Sequence, residues 1–189
     1  MRPEHLFYAL IALWAGSEFL LVGRRRASKG DQHRDRGTLL LLTSTIYVAV
    51  AAAVVLGRSQ AWPFPAEWRA PLFWLGLALM AAGLLFRWWA IRVLAQFFTV
   101  DISIRDGHRL VNDGPYRWLR HPSYTGSLAT FYGFGLAWGS WASLLAVAVP
   151  VTLVFLRRIH VEEQVLSEAF PVDYPRYAST TKRLLPFIW

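Results

Sequence analysis

The chain has 189 residues, 55% of them hydrophobic and 17% charged, where a soluble domain devotes about a quarter of its residues to charge; this is the composition of an integral membrane protein, and the length leaves room for one helical bundle. Twenty Lys and Arg against twelve Asp and Glu give a net charge of +8, yet the basic residues flank long apolar runs, where they set topology and meet headgroups, so nucleic acid is not an expected partner. There is no cysteine, which excludes disulfides, thiolate metal sites and a Cys nucleophile.

A bilayer core of about 30 Å takes roughly 20 apolar residues at helical rise. The first such stretch runs from about Leu6 to Val22 and the second from about Thr38 to Leu56. The first is no signal peptide, because its cationic residues follow rather than lead. A third stretch runs from about Leu72 to Leu94, with Arg87, Trp88 and Trp89 as an interfacial belt near its end. Glu18 and Arg87 are expected at similar depth and able to pair, since ionisable groups in a membrane face the bundle and find partners.

Between residues 100 and 115, Val100-Asp101-Ile102-Ser103-Ile104 alternates as a strand does, and Arg105-Asp106-Gly107 reads as a turn. His108 to Val111 is the expected returning strand. The last apolar stretch, Tyr124 to Leu156, is too long for one crossing. Trp138-Gly139-Ser140-Trp141 divides it into a helical hairpin, with a flexible turn between aromatic anchors. A helix leaving the membrane follows from about Arg157 to Phe170, and a short helical turn around Tyr174 to Thr181.

The expectation is therefore an all-α membrane protein of about five transmembrane helices, forming one domain over residues 1–189. Residues 1–95 hold the first three helices, and residues 96–189 the chemical half. The loop holding Arg24, Arg25, Arg26, Lys29, Arg34 and Arg36 is far richer in cations than the loop holding Arg58 and Arg69. The positive-inside rule then puts the N-terminus outside and all the polar sequence on the cytoplasmic face.

Two groups of residues on that face could carry chemistry. In Gly114-Pro115-Tyr116-Arg117-Trp118-Leu119-Arg120-His121-Pro122-Ser123-Tyr124-Thr125-Gly126, proline holds His121 extended and suits the first turn of a helix beginning at Pro122. Such an N-terminus attracts carboxylate or phosphate, although basic residues snorkelling to headgroups would leave the same sequence. In Arg157-Arg158-Ile159-His160-Val161-Glu162-Glu163, Arg158 and Glu162 share a helix face. The adjacent carboxylates could receive ribose hydroxyls or an ammonium, or could form an ordinary ion pair.

Arg120-His121-Pro122-x-Tyr124-x-Gly126, a membrane hairpin and then Glu162-Glu163 together resemble the isoprenylcysteine carboxyl methyltransferase family, to which phospholipid methyltransferases are related. The resemblance extends from about Phe97 to the C-terminus, and includes Gly114-Pro115-Tyr116, Tyr174-Pro-Arg-Tyr177 and Arg183-Leu-Leu-Pro186. It implies methyl transfer from S-adenosylmethionine without a Rossmann domain. Consistently, Gly133-Phe134-Gly135 lies inside a membrane helix, where small residues let helices approach, and is no dinucleotide fingerprint.

By the same resemblance, His108, Tyr116, Arg120, His121, Pro122, Tyr124, Gly126, Glu162 and Glu163 are expected to surround the cofactor in a cytoplasmic pocket. Arg158 is the expected catalytic residue, orienting an acidic acceptor, with Glu162 alternatively supporting that arginine. A carboxylate acceptor is already ionised and needs no base; a phenol or amine would need one, from His121, His160 or a glutamate. The expected partners are a lipophilic or prenylated acceptor and membrane lipid, with no metal. A nicotinamide-dependent, sterol-type reductase shares this kind of scaffold, but Pro122 after His121 and Ser123 before Tyr124 favour methyl transfer. A non-enzymatic relative is the remaining alternative.

Overall fold

A computed structural model of the chain describes residues 3–24, 32–33, 37–98, 103–104 and 110–185. Six helices dominate it: α1 (Pro3–Arg24), α2 (Thr38–Arg58), α3 (Ala66–Leu94), α4 (Pro122–Ala137), α5 (Trp141–Ala169) and α6 (Asp173–Thr180). Among the described residues, α2, α3 and α5 are long and apolar enough to cross a membrane. Phe19, Leu40, Tyr47, Val55, Leu85 and Leu153 are exposed, as expected of helices whose outer faces meet hydrocarbon rather than water.

The helix ends follow from local chemistry. Pro122 occupies the first turn of α4 behind His121, whose φ of −124° and ψ of 55° are neither helical nor the extended conformation expected; this is the place where a missing amide costs nothing. Gly139, at φ +74°, reverses the chain between α4 and α5 in a conformation that glycine adopts without strain. Ser140 then caps α5 by accepting a hydrogen bond from the Ser143 amide at 3.2 Å. At this same end the connection between α2 and α3 is tied down, with the Phe64 amide donating to Gly139 at 2.9 Å and the Trp141 amide to Trp62 at 3.0 Å.

α3 lies along α4, and α2 along α5, with α4 and α5 in contact between them. Glycines set the first of these approaches. A Cβ at Gly83 would sit 2.5 Å from the Gly126 carbonyl oxygen, and one at Gly126 would sit 2.6 Å from that of Gly83. Gly76 and Gly133 repeat the reciprocal arrangement one heptad along each helix. Gly135 serves the other neighbour, against Leu144 and Val147 of α5. The close-packing role expected for Gly133-Phe134-Gly135 is thus what these residues have.

α1 joins this core through its aromatic side chains. Phe7 stacks on Phe134 at 6.0 Å and Trp14 meets Phe131 edge-on at 4.8 Å. Further along α1, Glu18 pairs with Arg87 of α3 as expected from their depths, through Nε at 2.7 Å and Nη2 at 3.0 Å.

One element differs from expectation. Residues Ser103–Ile104 (β2) form a strand, but the partner is Gln32–His33 (β1) from the loop after α1, antiparallel, with Gln32 opposite Ile104. Leu110 and Val111, the described part of the expected returning strand, lie outside any strand; His108 lies outside the described residues. The pairing joins two loops distant in sequence, which alternation within one loop cannot signal.

Candidate active site

The approach to α4 is fixed by the C-terminal tail. A 3₁₀ turn over Gly114–Arg117 buries Pro115 and Tyr116, and the residues after it pair in parallel with the tail at Leu119 and Lys182. The Lys182 amide donates to Trp118 at 3.0 Å, the Arg120 amide to Lys182 at 2.7 Å and the His121 amide to Arg183 at 3.1 Å. The Thr125 hydroxyl donates to Leu184 at 2.7 Å. Tail carbonyls therefore lie against the start of α4, where the sequence suggested an anion would bind.

Glu163 ties this layer together. α5 has 29 residues, about 43 Å at helical rise, so its turns beyond Leu156 extend past a core of about 30 Å. In that extension Glu163 Oε1 accepts from Arg120 Nε at 2.8 Å, and Oε2 from Arg183 Nε at 3.0 Å. His121 Nε2 is 3.4 Å from Oε1. Arg120 also donates through Nη1 to the carbonyls of Ala178 and Thr181, at 2.8 and 2.7 Å. It thereby satisfies groups that the end of α6 leaves open. Tyr177 completes the clasp by donating to the Tyr116 carbonyl at 2.8 Å. Burial by itself would raise the Glu163 carboxyl, but hydrogen bonds from His121 and Arg183, with the charges of His121 and Arg120, bring it down to about 2.

Glu162 has different surroundings, because successive residues on a helix point about 100° apart. The Tyr124 hydroxyl donates to Glu162 Oε2 at 2.7 Å and accepts from Arg158 Nε at 3.1 Å. Arg158, only 2% exposed, also donates through Nη1 to Thr38 Oγ1 at 3.1 Å. The His121 ring stacks on Tyr124 at 5.5 Å and 8°, with Nδ1 3.7 Å from Glu162 Oε2. Glu162 Oε1 has no donor among the described residues, and its side chain is 29% exposed. Close by, the Tyr174 hydroxyl is buried with no hydrogen-bond partner among the described residues, and burial raises that phenol first, with the Glu163 and Glu162 carboxylates adding to the effect.

The structure thus brings Arg120, His121, Tyr124, Arg158, Glu162 and Glu163 together, with Pro122 as the helix start and buried Tyr116 beside them. Gly126 turns the other way, toward Gly83 and the Arg87 backbone. His160 is exposed and meets Gln164 at 3.0 Å. Thr38, which anchors Arg158 from α2, is a site neighbour that no motif marked. Its only signal was position, as the first residue of the second apolar stretch.

A phospholipid methyltransferase family model matches residues 71–173, beginning within α3 and so reaching further back than the motifs did. A rice protein (Oryza sativa subsp. indica) bearing the name "Probable protein-S-isoprenylcysteine O-methyltransferase" is 30% identical over 97% of this chain and 95% of its own length. Protein-S-isoprenylcysteine O-methyltransferase A of Arabidopsis thaliana is 36% identical over 60% of this chain and 58% of its own. The fold is similar to that of the eukaryotic intramembrane Ras methyltransferase, isoprenylcysteine carboxyl methyltransferase, with a TM-score of 0.67 and 24% identity. That match covers 96% of this chain and 65% of the solved one. With a family model over more than half of its residues and a relative aligned along nearly its whole length, this chain is a membrane methyltransferase of the isoprenylcysteine O-methyltransferase family.

Proposed function

We propose that the protein O-methylates the carboxylate of a prenylcysteine-like lipid acid, using S-adenosylmethionine bound at the cytoplasmic membrane interface. The observation that carries this reading is the partly exposed Glu162, with one carboxylate oxygen free of donors among the described residues, set beside His121 and Tyr124. Glu162 would hold the ammonium or ribose hydroxyls of the cofactor, while Tyr116, Tyr124 and the buried Tyr174 hydroxyl would border its adenine and polar atoms. Bound there, S-adenosylmethionine supplies a sulfonium methyl group for in-line displacement.

The protein's own contribution is alignment and dehydration, which can supply much of the acceleration of such a displacement. No general base is required, because a carboxylate acceptor is ionised at neutral pH. Arg158 is then a positioning residue: it holds the Tyr124 hydroxyl that in turn holds Glu162. Glu163, held by Arg120 and Arg183, keeps the tail closed over the site instead of touching ligand.

In the same proposal the chain crosses the membrane five times, with α4 and α5 as a hairpin and the N-terminus outside. Residues 96–189, aided by α3, form the catalytic half. The cofactor class is tested by thermal unfolding of the purified protein. S-adenosylhomocysteine at a hundredfold excess over its dissociation constant should add about 2.7 kcal/mol. Stabilisation by NADPH and not by S-adenosylhomocysteine would favour the reductase reading instead.

A further inference from the structure

The Arg87–Glu18 pair has features that a structural ion pair does not require. Arg87 presents Nε and Nη2 to the two oxygens of Glu18, at 2.7 and 3.0 Å. This is the fork geometry that suits any carboxylate. Its remaining nitrogen reaches the Ser123 carbonyl at 3.4 Å, in the first turn of α4 and two residues beyond His121. The guanidinium is thus tethered to the edge of the candidate active site, while its carboxylate-binding side faces α1.

The two partners are held very unequally. The Arg87 side chain is 12% exposed and that of Glu18 is 36% exposed. Around Glu18, α1 is thinly packed: a Cβ at Gly16 would meet nothing within 4 Å, Phe19 is 80% exposed and Leu20 54%. The ring contacts of α1 with α4 are at Phe7 and Trp14, on the N-terminal side of Glu18.

We propose that Arg87 receives the carboxylate of the lipid acceptor, and that Glu18 is a built-in stand-in for that carboxylate, displaced when the acceptor arrives and restored when the product leaves. This rests on the reading that the acceptor is a lipid acid.

Charge decides the exchange. A guanidinium at this depth needs an anionic partner, and leaving it unpaired is costly. A neutral lipid therefore cannot replace Glu18, whereas a carboxylate replaces it one for one. In the reaction a carboxylate oxygen contributes the electron pair of the new O–CH3 bond, while the S–CH3 pair returns to sulfur and no proton moves. The ester so formed is neutral and can no longer compete with Glu18, so the returning glutamate favours its release. The buried phenol of Tyr116 feels both the Glu162 carboxylate and the Arg87 guanidinium, which puts the two charges within reach of one side chain.

The test uses the full chain in lipid nanodiscs, with S-farnesylated N-acetylcysteine as acceptor and its carboxamide and methyl ester as inhibitors. Glu18→Gln should lower the KM for the acid and strengthen inhibition by the ester, each by about tenfold, since the competing carboxylate is gone. Arg87→Gln should raise KM by about tenfold or more and erase the preference for acid over carboxamide. The charge swap Glu18→Arg with Arg87→Glu controls for folding. It restores an ion pair, so S-adenosylhomocysteine should still stabilise it, but its KM should stay high. A swap that regains the wild-type KM, or an Arg87→Gln protein that still prefers the acid, would overturn the proposal. Wild-type protein that binds S-adenosylhomocysteine yet never methylates the acid would instead overturn the reading beneath it.

Discussion

Glu162 and Glu163 are neighbours in sequence with opposite surroundings. Glu163 meets two guanidiniums, whereas Glu162 meets the Tyr124 phenol and the His121 ring and, among the described residues, keeps one oxygen open. Glu162→Gln should therefore weaken S-adenosylhomocysteine binding by about tenfold or more, the worth of one charge-assisted hydrogen bond, with the tail still resistant to protease. Glu163→Gln should instead release the tail, seen as faster proteolysis after α6. Because the folded Glu163 carboxyl is held down to about 2, below its ordinary value of 4.5, its stabilisation is fully present above that upper value and is lost as pH falls toward the lower one. Tail proteolysis should be flat from pH 8 to about 5 and rise only in stronger acid. Arg158→Ala should also weaken S-adenosylhomocysteine binding, though less than Glu162→Gln does, because it acts on Glu162 only through the Tyr124 hydroxyl. The sequence marked both glutamates and the arginine and offered Glu162 as the one supporting that arginine, whereas the carboxylate that meets two guanidiniums is Glu163. Which carboxylate stays open depends on Arg183 and Arg120 converging from distant segments.

Among elements, the α3–α4 contact depends on two reciprocal glycine pairs, Gly76 with Gly133 and Gly83 with Gly126. A side chain at any of them must push backbone apart, because the obstructing atoms are carbonyl oxygens and amides. Gly83→Val should cost about 1–3 kcal/mol or more by overpacking, read as a lowered Tm. It should also weaken cofactor binding, since the same contact places the start of α4. Local signals explain what was legible here: Pro122 and Gly139 act within their own turns, so both ends of α4 could be read directly. The pairing of β2 with β1, and of Leu119 with Lys182, joins segments far apart in sequence, which no local period encodes. Gly126 shows the same limit, standing in a motif that suggests ligand while its Cα faces α3.

Across the whole molecule, the loop joining α2 to α3 meets the turn between α4 and α5 at one end. Arg158 and Thr38 meet at the other, near the clasped tail. The proposed topology of five crossings would put the chemical residues on one side. The chain has no cysteine, so single cysteines report cleanly on sidedness. Glu4→Cys and Ser59→Cys should be labelled from outside, and Trp118→Cys and Asp173→Cys only from inside; labelling of Ser59→Cys and Asp173→Cys from the same face would contradict the topology. Carboxyl methylation of a lipid acid leaves its signature in the chemistry of the product. Purified protein is incubated with S-adenosylmethionine labelled in its methyl group and an S-farnesylated N-acetylcysteine, and the lipid product is treated with alkali. Label is expected in the farnesylated product, released by alkali as methanol, with no transfer to the carboxamide. Label stable to alkali, or label on the carboxamide as readily as on the acid, would contradict it.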